Sequence, residues 1–368
     1  VALLAFSAAE EFEDFKACYT PPAGDIDCIE LSPRPDVYLQ DENLADSWDW
    51  RNHEGRDLTT AVMNQHIPHY CGACWAFGPL AALSDRIKIA RKAAWPEIQL
   101  APQVLLNCGA AKGYEVGCSG GYAHATYDYA HKYGVTDATC QSYRARELSC
   151  DPENICKNCA HDLKCFAVHQ PAKYHVKEFG QVRGERNMMA EIQERGPIAC
   201  GISVNKALLN YKGGIFHDHT GSMQIKHVVS LVGWGGVGSS KYWIARNSWG
   251  SYWGENGYFR IARGINNMNL ESDCYWATPE FDQERLSRGM AEDSETDADL
   301  VMKSDPSIPT DAEVDHDTAE PEEFDDDLDM QELSVPDVSD NGLDFSDDLS
   351  FEDDNSDFQV SLCKTCSV

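Results

Sequence analysis

Acidic residues are concentrated in the last quarter of this 368-residue chain. Residues 281–368 contain 29 Asp and Glu against 4 Lys and Arg, whereas residues 1–280 contain 32 against 26. A segment with long acidic runs and scattered apolar residues buries too little surface to offset the entropy of ordering it. We therefore predict a disordered acidic tail over 281–368 and a folded domain within the first 280 residues. No basic patch offers a footprint for phosphates, so no nucleic-acid partner is expected.

The N-terminus and the 15 cysteines indicate a protein of the secretory pathway. Residues 1–9 are apolar and end in small residues, which predicts the remnant of a signal peptide. In an oxidising compartment so many cysteines favour disulfides over metal sites. No window reaches the roughly 20 apolar residues of a membrane span. Residues 10–43 are rich in Pro and acidic residues and are predicted to be mostly extended.

Three residues carry the clearest chemical meaning. Cys74 begins an amphipathic run, and His227 and Asn247 lie far downstream of it. A thiol, an imidazole that exchanges its proton, and an amide that orients the imidazole form the catalytic set of a cysteine protease. A lone Cys or a lone His is usually structural, but the three in this order favour catalysis.

Apolar periodicity predicts a helix over 74–92 and a second helix over 186–195. Pro79 lies inside the first helix and lacks the N–H that would bond to Trp75, so a kink or a looser first turn is expected. Segments rich in β-branched and aromatic residues are predicted to be strands over 198–204, 227–232, 242–246 and 258–261. Helices early and strands late predict an α+β fold with a cleft between the halves.

These residues closely resemble the papain-like cysteine proteases over about residues 15–280. That family has a Gln six residues before its nucleophile, whereas Gln65 lies nine residues before Cys74. Three extra residues account for the difference, and His66-Ile67-Pro68 matches an insertion typical of the cathepsin X branch, also called cathepsin Z. The resemblance implies a two-lobed fold, with a helical lobe, a β-barrel-like lobe and an active-site cleft between them.

The resemblance also implies how the chain is divided. Residues 10–43 would form a short propeptide and residues 44–280 the peptidase domain. We expect a monomer without a cofactor or a bound metal. Its final location would be an acidic, lysosome-like compartment or the outside of the cell.

Roles for the catalytic residues follow from the same resemblance. Cys74 would act as a thiolate, stabilised by an imidazolium at His227 and by the start of its helix. His227 would protonate the leaving amine and then help water attack the acyl-enzyme. Asn247 would orient the imidazole, and Gln65 would stabilise the oxyanion together with the backbone N–H of Cys74.

Five further residues are expected to contact the substrate or to shield the site. The inserted loop would block the primed side of the cleft, where the leaving part of the substrate binds, and His66 would pair with the substrate's C-terminal carboxylate. The enzyme would then remove single residues from peptides or proteins with a free C-terminus. A papain-like endopeptidase is the alternative. Gly120 and Gly121 would bond the substrate backbone, Trp249 would shield the Asn–His pair, and Trp253 would line the primed side.

Most of the other cysteines are assigned to disulfides. The expected pairs are Cys71–Cys118, Cys108–Cys140 and Cys200–Cys274. The spacing of four more allows either a zinc site with four thiolate ligands or two disulfides, and the secretory setting favours disulfides. These four are Cys150, Cys156, Cys159 and Cys165.

Cys18 is expected to control activity. It matches a propeptide cysteine of the cathepsin X branch that bonds the nucleophile, so a Cys18–Cys74 disulfide is expected in an inactive zymogen. Maturation would occur near Leu44. The alternative is that Cys18 pairs with Cys28.

A different function is suggested by Cys71-Gly72-Ala73-Cys74, a C-x-x-C motif at a helix start, which is typical of thiol–disulfide oxidoreductases. Such an enzyme has no need of Gln65, His227 or Asn247. The protease therefore accounts for more of the sequence.

Overall fold

The computed structural model describes residues 15–19, 21–22 and 26–280. The predicted signal remnant over 1–9 and the predicted acidic tail over 281–368 lie outside the described residues. In the described part, no helix is long and apolar enough to cross a membrane.

Six α-helices are described, and the longest begins at Cys74. The two predicted helices agree with α2 and α5 within two residues at each end, whereas α3 and α4 were not predicted. Gly134 and Gly196, both with positive φ, follow the last residues of α4 and α5. The helices are α1 Pro35–Tyr38, α2 Cys74–Ala90, α3 Pro102–Cys108, α4 Ala123–Tyr133, α5 Glu185–Arg195 and α6 Lys206–Leu209.

Pro79 does not interrupt α2, which continues from Cys74 to Ala90. The carbonyl of Trp75, four residues earlier, loses its usual helical donor because Pro79 has no N–H. Thr126 on α4 replaces that donor, since its hydroxyl donates to the Trp75 carbonyl at 2.8 Å. A side chain from a neighbouring helix thus satisfies a buried group that the sequence pattern alone leaves unpaired.

Ten strands are described, and eight of them form one sheet in the order β4-β10-β5-β7-β8-β9-β6, with β1 paired to β7. All its pairings are antiparallel except that of β6 with β9. In the described residues β4 and β6 do not pair, so the lobe expected to be barrel-like is an open sheet. The strands are β1 Trp48–Asp49, β2 Lys157–Cys159, β3 Cys165–Ala167, β4 Val176–Val182, β5 Ile198–Ser203, β6 Ile215–Phe216, β7 Ile225–Gly235, β8 Tyr242–Arg246, β9 Tyr258–Ala262 and β10 Cys274–Pro279.

The predicted α+β fold with two lobes is confirmed by two large hydrophobic clusters. One packs α2, α3 and α4 together, and the other joins the sheet to α5. Strand β7 contributes to both, because successive side chains point to opposite faces of a strand. Val228 belongs to the helical cluster and Val229 to the sheet cluster. His227, the residue before them, is thereby held at the junction of the two lobes.

Apart from the expected Cys18–Cys74 bond at the candidate active site, two of the expected pairs form and one is wrong. Cys71 is bonded to Cys118 and Cys200 to Cys274. The expected Cys108–Cys140 pair does not form, because Cys108 is bonded to Cys150 and Cys140 to Cys156, with Cα–Cα distances of 4.7 and 4.6 Å. Of the two disulfides expected within the group of four, only one forms: Cys159–Cys165, which closes the β2–β3 hairpin. The alternative zinc site would require thiolates that these bonds remove.

The segment over residues 26–45 lies along the sheet edge and α5. Ile29 exchanges backbone hydrogen bonds with Phe179 of β4. Burial alone would raise the pKa of Glu178, but hydrogen bonds from the Ser32 hydroxyl and from the backbone N–H groups of Leu31 and Ser32 hold it below its usual value. The predicted propeptide is therefore fastened to the domain on the side of α5 as well as in the cleft.

Candidate active site

The side chain of Cys74 lies at the first residue of α2 and is fully buried. Its sulfur is bonded to that of Cys18, with 6.2 Å between the two Cα atoms. The start of a helix stabilises negative charge through its free N–H groups, which suits a thiolate nucleophile once the bond is reduced. In this structure the nucleophile is covalently blocked.

His227 faces the blocked sulfur from β7. Its Nδ1 lies 3.5 Å from the Cys18 sulfur, and its Nε2 donates to Asn247 Oδ1 at 2.8 Å. One ring nitrogen of His227 and both sulfurs lie within 4.8 Å of one another. Burial lowers the pKa of His227 to about 3, although the bond to Asn247 opposes this effect. The ring is thus neutral while the disulfide leaves it no thiolate partner.

Gln65 and Asn247 are joined through Ser248. The Ser248 hydroxyl donates to Gln65 Oε1 at 2.7 Å, and the Ser248 backbone N–H donates to Asn247 Oδ1 at 2.9 Å. Gln65 Nε2 donates one hydrogen to the carbonyl of Cys71 at 3.0 Å. A primary amide has two N–H groups, so a second remains for an oxyanion beside Cys74. Ser248 is not among the predicted site residues, although its position directly after Asn247 was the available signal.

Aromatic rings cover His227 on two sides. Trp249 lies 4.9 Å from the imidazole between ring centres, and Trp253 packs edge-on beneath Trp249 at 5.0 Å. Phe15 meets both His227 and Trp249 at 5.5 Å. Trp253 is also buried, and its indole N–H donates to the Leu209 carbonyl at 3.0 Å. Water is therefore kept from the Asn–His pair by Trp249 on one side and by the N-terminal segment on the other.

Residues 15–19 run along the cleft past the catalytic residues. The Cys18 backbone N–H donates to the Lys226 carbonyl at 3.0 Å, and Tyr19 forms a parallel bridge with Gly121. A Cβ at Gly120, where φ is +128°, would lie 3.2 Å from the Cys18 carbonyl oxygen. The two glycines expected to hold a substrate backbone therefore hold this segment instead.

The inserted loop contacts the same segment on the other side of Cys74. The rings of His66 and Tyr70 are stacked 4.5 Å apart, and the Tyr70 hydroxyl donates to the Lys16 carbonyl at 3.1 Å. His66 Nδ1 is buried without a hydrogen-bond partner among the described residues. Burial lowers the pKa of His66 to about 4.

Neither a metal site nor a redox C-x-x-C motif fits the bonding of the cysteines around Cys74. Cys18, Cys74 and His227 are near enough to share a metal ion, but the two sulfurs are bonded to each other and offer no thiolate. Cys71 and Cys74 form bonds with different partners, Cys118 and Cys18. A redox C-x-x-C motif works through a bond between its own two cysteines.

The profile of the papain family of cysteine proteases matches residues 44–278, which include every candidate catalytic position described above. The chain belongs to this family. It is a cysteine peptidase, and the family recognised in the sequence is confirmed. The curated relative named cathepsin Z of Onchocerca volvulus is 43% identical over an alignment of 247 residues, and the match covers 65% of this chain and 79% of that protein.

Solved structures of two precursors are similar in fold. Procathepsin L 3 of the Tenebrio molitor larval midgut superimposes with a TM-score of 0.55 at 26% identity, covering 69% of this chain and 76% of that one. ProCathepsin B S9 from Trypanosoma congolense gives a TM-score of 0.58 at 23% identity, covering 72% and 87%. The second likeness concerns the fold alone.

Proposed function

We propose that this cysteine peptidase is a carboxypeptidase that removes single C-terminal residues and is made as a zymogen blocked by the Cys18–Cys74 disulfide. The observation that carries the first part is the position of His66. It stands on a three-residue insertion beside the cleft, with a buried ring nitrogen that lacks a partner among the described residues. The resemblance of the insertion to the cathepsin X branch supports the same activity.

Catalysis begins when the disulfide is reduced by a thiol and the N-terminal segment leaves. The Cys74 thiolate attacks the scissile carbonyl carbon, and the resulting oxyanion accepts hydrogen bonds from Gln65 Nε2 and the Cys74 backbone N–H. The His227 imidazolium gives its proton to the leaving amine nitrogen, so that the C–N bond breaks and a thioester remains. Water then gives one proton to His227 and attacks the thioester carbonyl carbon. The C–S bond breaks, which restores the Cys74 thiolate and releases a carboxylic acid that loses its proton to the solvent.

His66 would decide where the substrate ends. A residue after the scissile bond has to fit between Cys74 and the inserted loop, which leaves little room for a longer chain. A protonated His66 attracts the terminal carboxylate, and this carboxylate raises the pKa of His66 from the low value that burial imposes in the precursor. Weakly acid conditions should favour such recognition, in keeping with an acidic compartment of the secretory pathway.

The zymogen is supported by where residues 15–19 lie. They occupy the substrate glycines, cover His227 through Phe15 and bond the nucleophile through Cys18. Reduction of this bond requires a small thiol or a reductase. Cleavage near Leu44 would then remove the segment over 10–43 from the peptidase domain.

The test compares two chains matured in the same way, the natural one and His66→Ala, on peptides with a free or an amidated C-terminus. We expect the natural enzyme to shorten the free peptide by one residue at a time at mildly acid pH, and to spare the amide. His66→Ala should lose at least tenfold in kcat/KM on the free peptide, while an epoxide reagent alkylates Cys74 at an unchanged rate.

Two outcomes would contradict the proposal. Internal cuts in both peptides would support the endopeptidase instead. An equal loss of hydrolysis and of Cys74 alkylation in His66→Ala would mean that His66 maintains the site rather than recognising a carboxylate.

A further inference from the structure

The side chain of Tyr19 fills a closed pocket beside the cleft. Only 2% of this residue is exposed, and its hydroxyl donates to Asp273 Oδ2 at 2.6 Å. Asp273 precedes β10 and is itself 5% exposed. A buried phenol on a buried carboxylate is a specific contact rather than general packing, because each group would be costly to bury alone.

The pocket has room for the Tyr19 ring because one of the residues that line it is a glycine. Gly201 on β5 lies at its floor, where a Cβ would come within 3.2 Å of Tyr19 Cε1 and 2.9 Å of Asp273 Oδ2. The same Cβ would meet Ile225 Cγ2 at 2.8 Å, which places an apolar wall beside the carboxylate. Any side chain at position 201 would therefore reduce the space that the ring occupies.

The carboxylate at the pocket's end accepts two short hydrogen bonds from hydroxyl groups and a longer one, at 3.4 Å, from the Gln181 amide. Tyr275 donates to Asp273 Oδ1 at 2.7 Å, whereas Oδ2 receives the Tyr19 hydroxyl. Among residues 15–19, 21–22 and 26–280, Asp273 forms no salt bridge. His124 lies beside Tyr275, with 6.0 Å between ring centres, but burial lowers the pKa of His124 and favours its neutral form. When Tyr19 leaves, Oδ2 loses its phenol donor.

The location of the pocket makes it accessible to a substrate. Tyr19 follows Cys18, which is bonded to the nucleophile, and its backbone pairs with Gly121. Tyr70, whose ring stacks on that of His66, contacts the segment at Lys16, which lies on the other side of Cys18 from Tyr19. The Tyr19 pocket therefore lies on the acyl side of the scissile bond, within reach of a residue near the one that Cys74 attacks.

We propose that Asp273 makes this pocket selective for tyrosine as the second residue before the scissile bond, with Tyr19 of the precursor as its built-in occupant. This rests on the proposed function, since it names the substrate class of the same site. A phenylalanine would fill the same ring space but bury Oδ2 without a donor. Leaving a buried charged acceptor unpaired costs about 1–3 kcal/mol, which corresponds to roughly a 5- to 150-fold loss.

The experiment uses the full chain after reduction and removal of residues 10–43 by limited proteolysis. Its substrates are the blocked peptides Tyr-Ala-Phe, Phe-Ala-Phe and Lys-Ala-Phe with a free C-terminus. We expect kcat/KM for the tyrosine peptide to exceed that for the phenylalanine peptide at least about fivefold. In Asp273→Ala the ratio should fall to about one, while Asp273→Asn, which keeps an acceptor oxygen, should retain part of it.

The ratio is taken within one enzyme preparation, so a smaller active fraction in a variant does not alter it. If Asp273→Ala does not fold, the ratio in the natural enzyme still decides. Equal turnover of the tyrosine and phenylalanine peptides would overturn the assignment while leaving the peptidase intact. A lysine peptide turned over faster than the tyrosine peptide would also overturn it. Hydrolysis of none of the three would overturn the proposed function as well.

Discussion

Acidification is expected to loosen residues 15–19 from the cleft. Burial lowers the pKa of His227 to about 3 in the precursor, and Phe15 and Cys18 contribute to that burial. An exposed imidazole titrates near about 6.5. Detachment of the segment returns the ring to water, so the open state binds a proton that the closed state rejects. Closure is therefore strongest above about pH 6.5 and weakens as the pH falls towards 3.

The size of this effect follows from the two pKa values of His227. If opening restores the whole difference, lowering the pH from 7 to 4.5 weakens closure by about 2.5 kcal/mol, or roughly a hundredfold in the opening equilibrium. This is an upper limit, because Trp249 still covers one face of the ring. His66 acts in the same direction, since burial lowers its pKa to about 4.

Hydrogen exchange of the backbone N–H at position 18 measures this opening, because that group donates to the Lys226 carbonyl in the closed state. The measurement uses the Cys18→Ser, Cys74→Ser precursor, in which the segment is held without a covalent bond and no thiolate can pair with His227. After correction for intrinsic exchange, its opening free energy should fall between pH 7 and 4.5. In a control that also carries His66→Gln and His227→Gln, most of the change should disappear. An opening free energy that is equal at both pH values, or that falls equally in the control, would refute the reasoning.

Two further predictions concern stability. Thr126→Val should lower the free energy of unfolding by about 1–3 kcal/mol, because it leaves the Trp75 carbonyl without a donor. The loss should be smaller in a chain that carries Pro79→Ala, where a new backbone N–H is available to that carbonyl. Urea unfolding measures both losses, and equal losses in the two backgrounds would contradict this prediction. Replacing the Cys108–Cys150 pair by Ser should lower the free energy of unfolding by about 1.7 kcal/mol more than replacing Cys159–Cys165, since the bonds span 42 and 6 residues. Calorimetry of the two variants compares these losses, and equal losses would count against the loop-length argument.

The candidate catalytic residues could be predicted because each lies in a stretch of sequence with a recognisable local pattern. Cys74 begins a segment with helical periodicity, His227 lies in a segment with strand character, and Asn247 is recognised by the residues that flank it. Their approach to one another depends on β7 running between both lobes, and only the fold supplies that. The predicted strands over 198–204, 227–232, 242–246 and 258–261 agree with β5, β7, β8 and β9, although β7 extends two and three residues further.

Other features depend on long-range contacts that no spacing encodes. The pairing of Cys108 with Cys150 depends on how the loop after α4 returns to α3. Spacing along the sequence does not determine it, because any four cysteines can be paired in three ways. Strand β4 was missed because Glu178 interrupts its apolar pattern, and the segment before α1 satisfies that carboxylate. The contacts of Phe15 and Tyr19 follow from the course of an extended segment without any periodic signal.

The most direct test of the account is peptide mapping of the unreduced precursor by mass spectrometry, after free thiols have been alkylated. The account predicts a peptide with Cys18 linked to the peptide that contains Cys74, and no alkylation of Cys74 before reduction. A Cys18–Cys28 link, or a Cys74 that is alkylated without reduction, would contradict the claim that the N-terminal segment silences the nucleophile through a covalent bond.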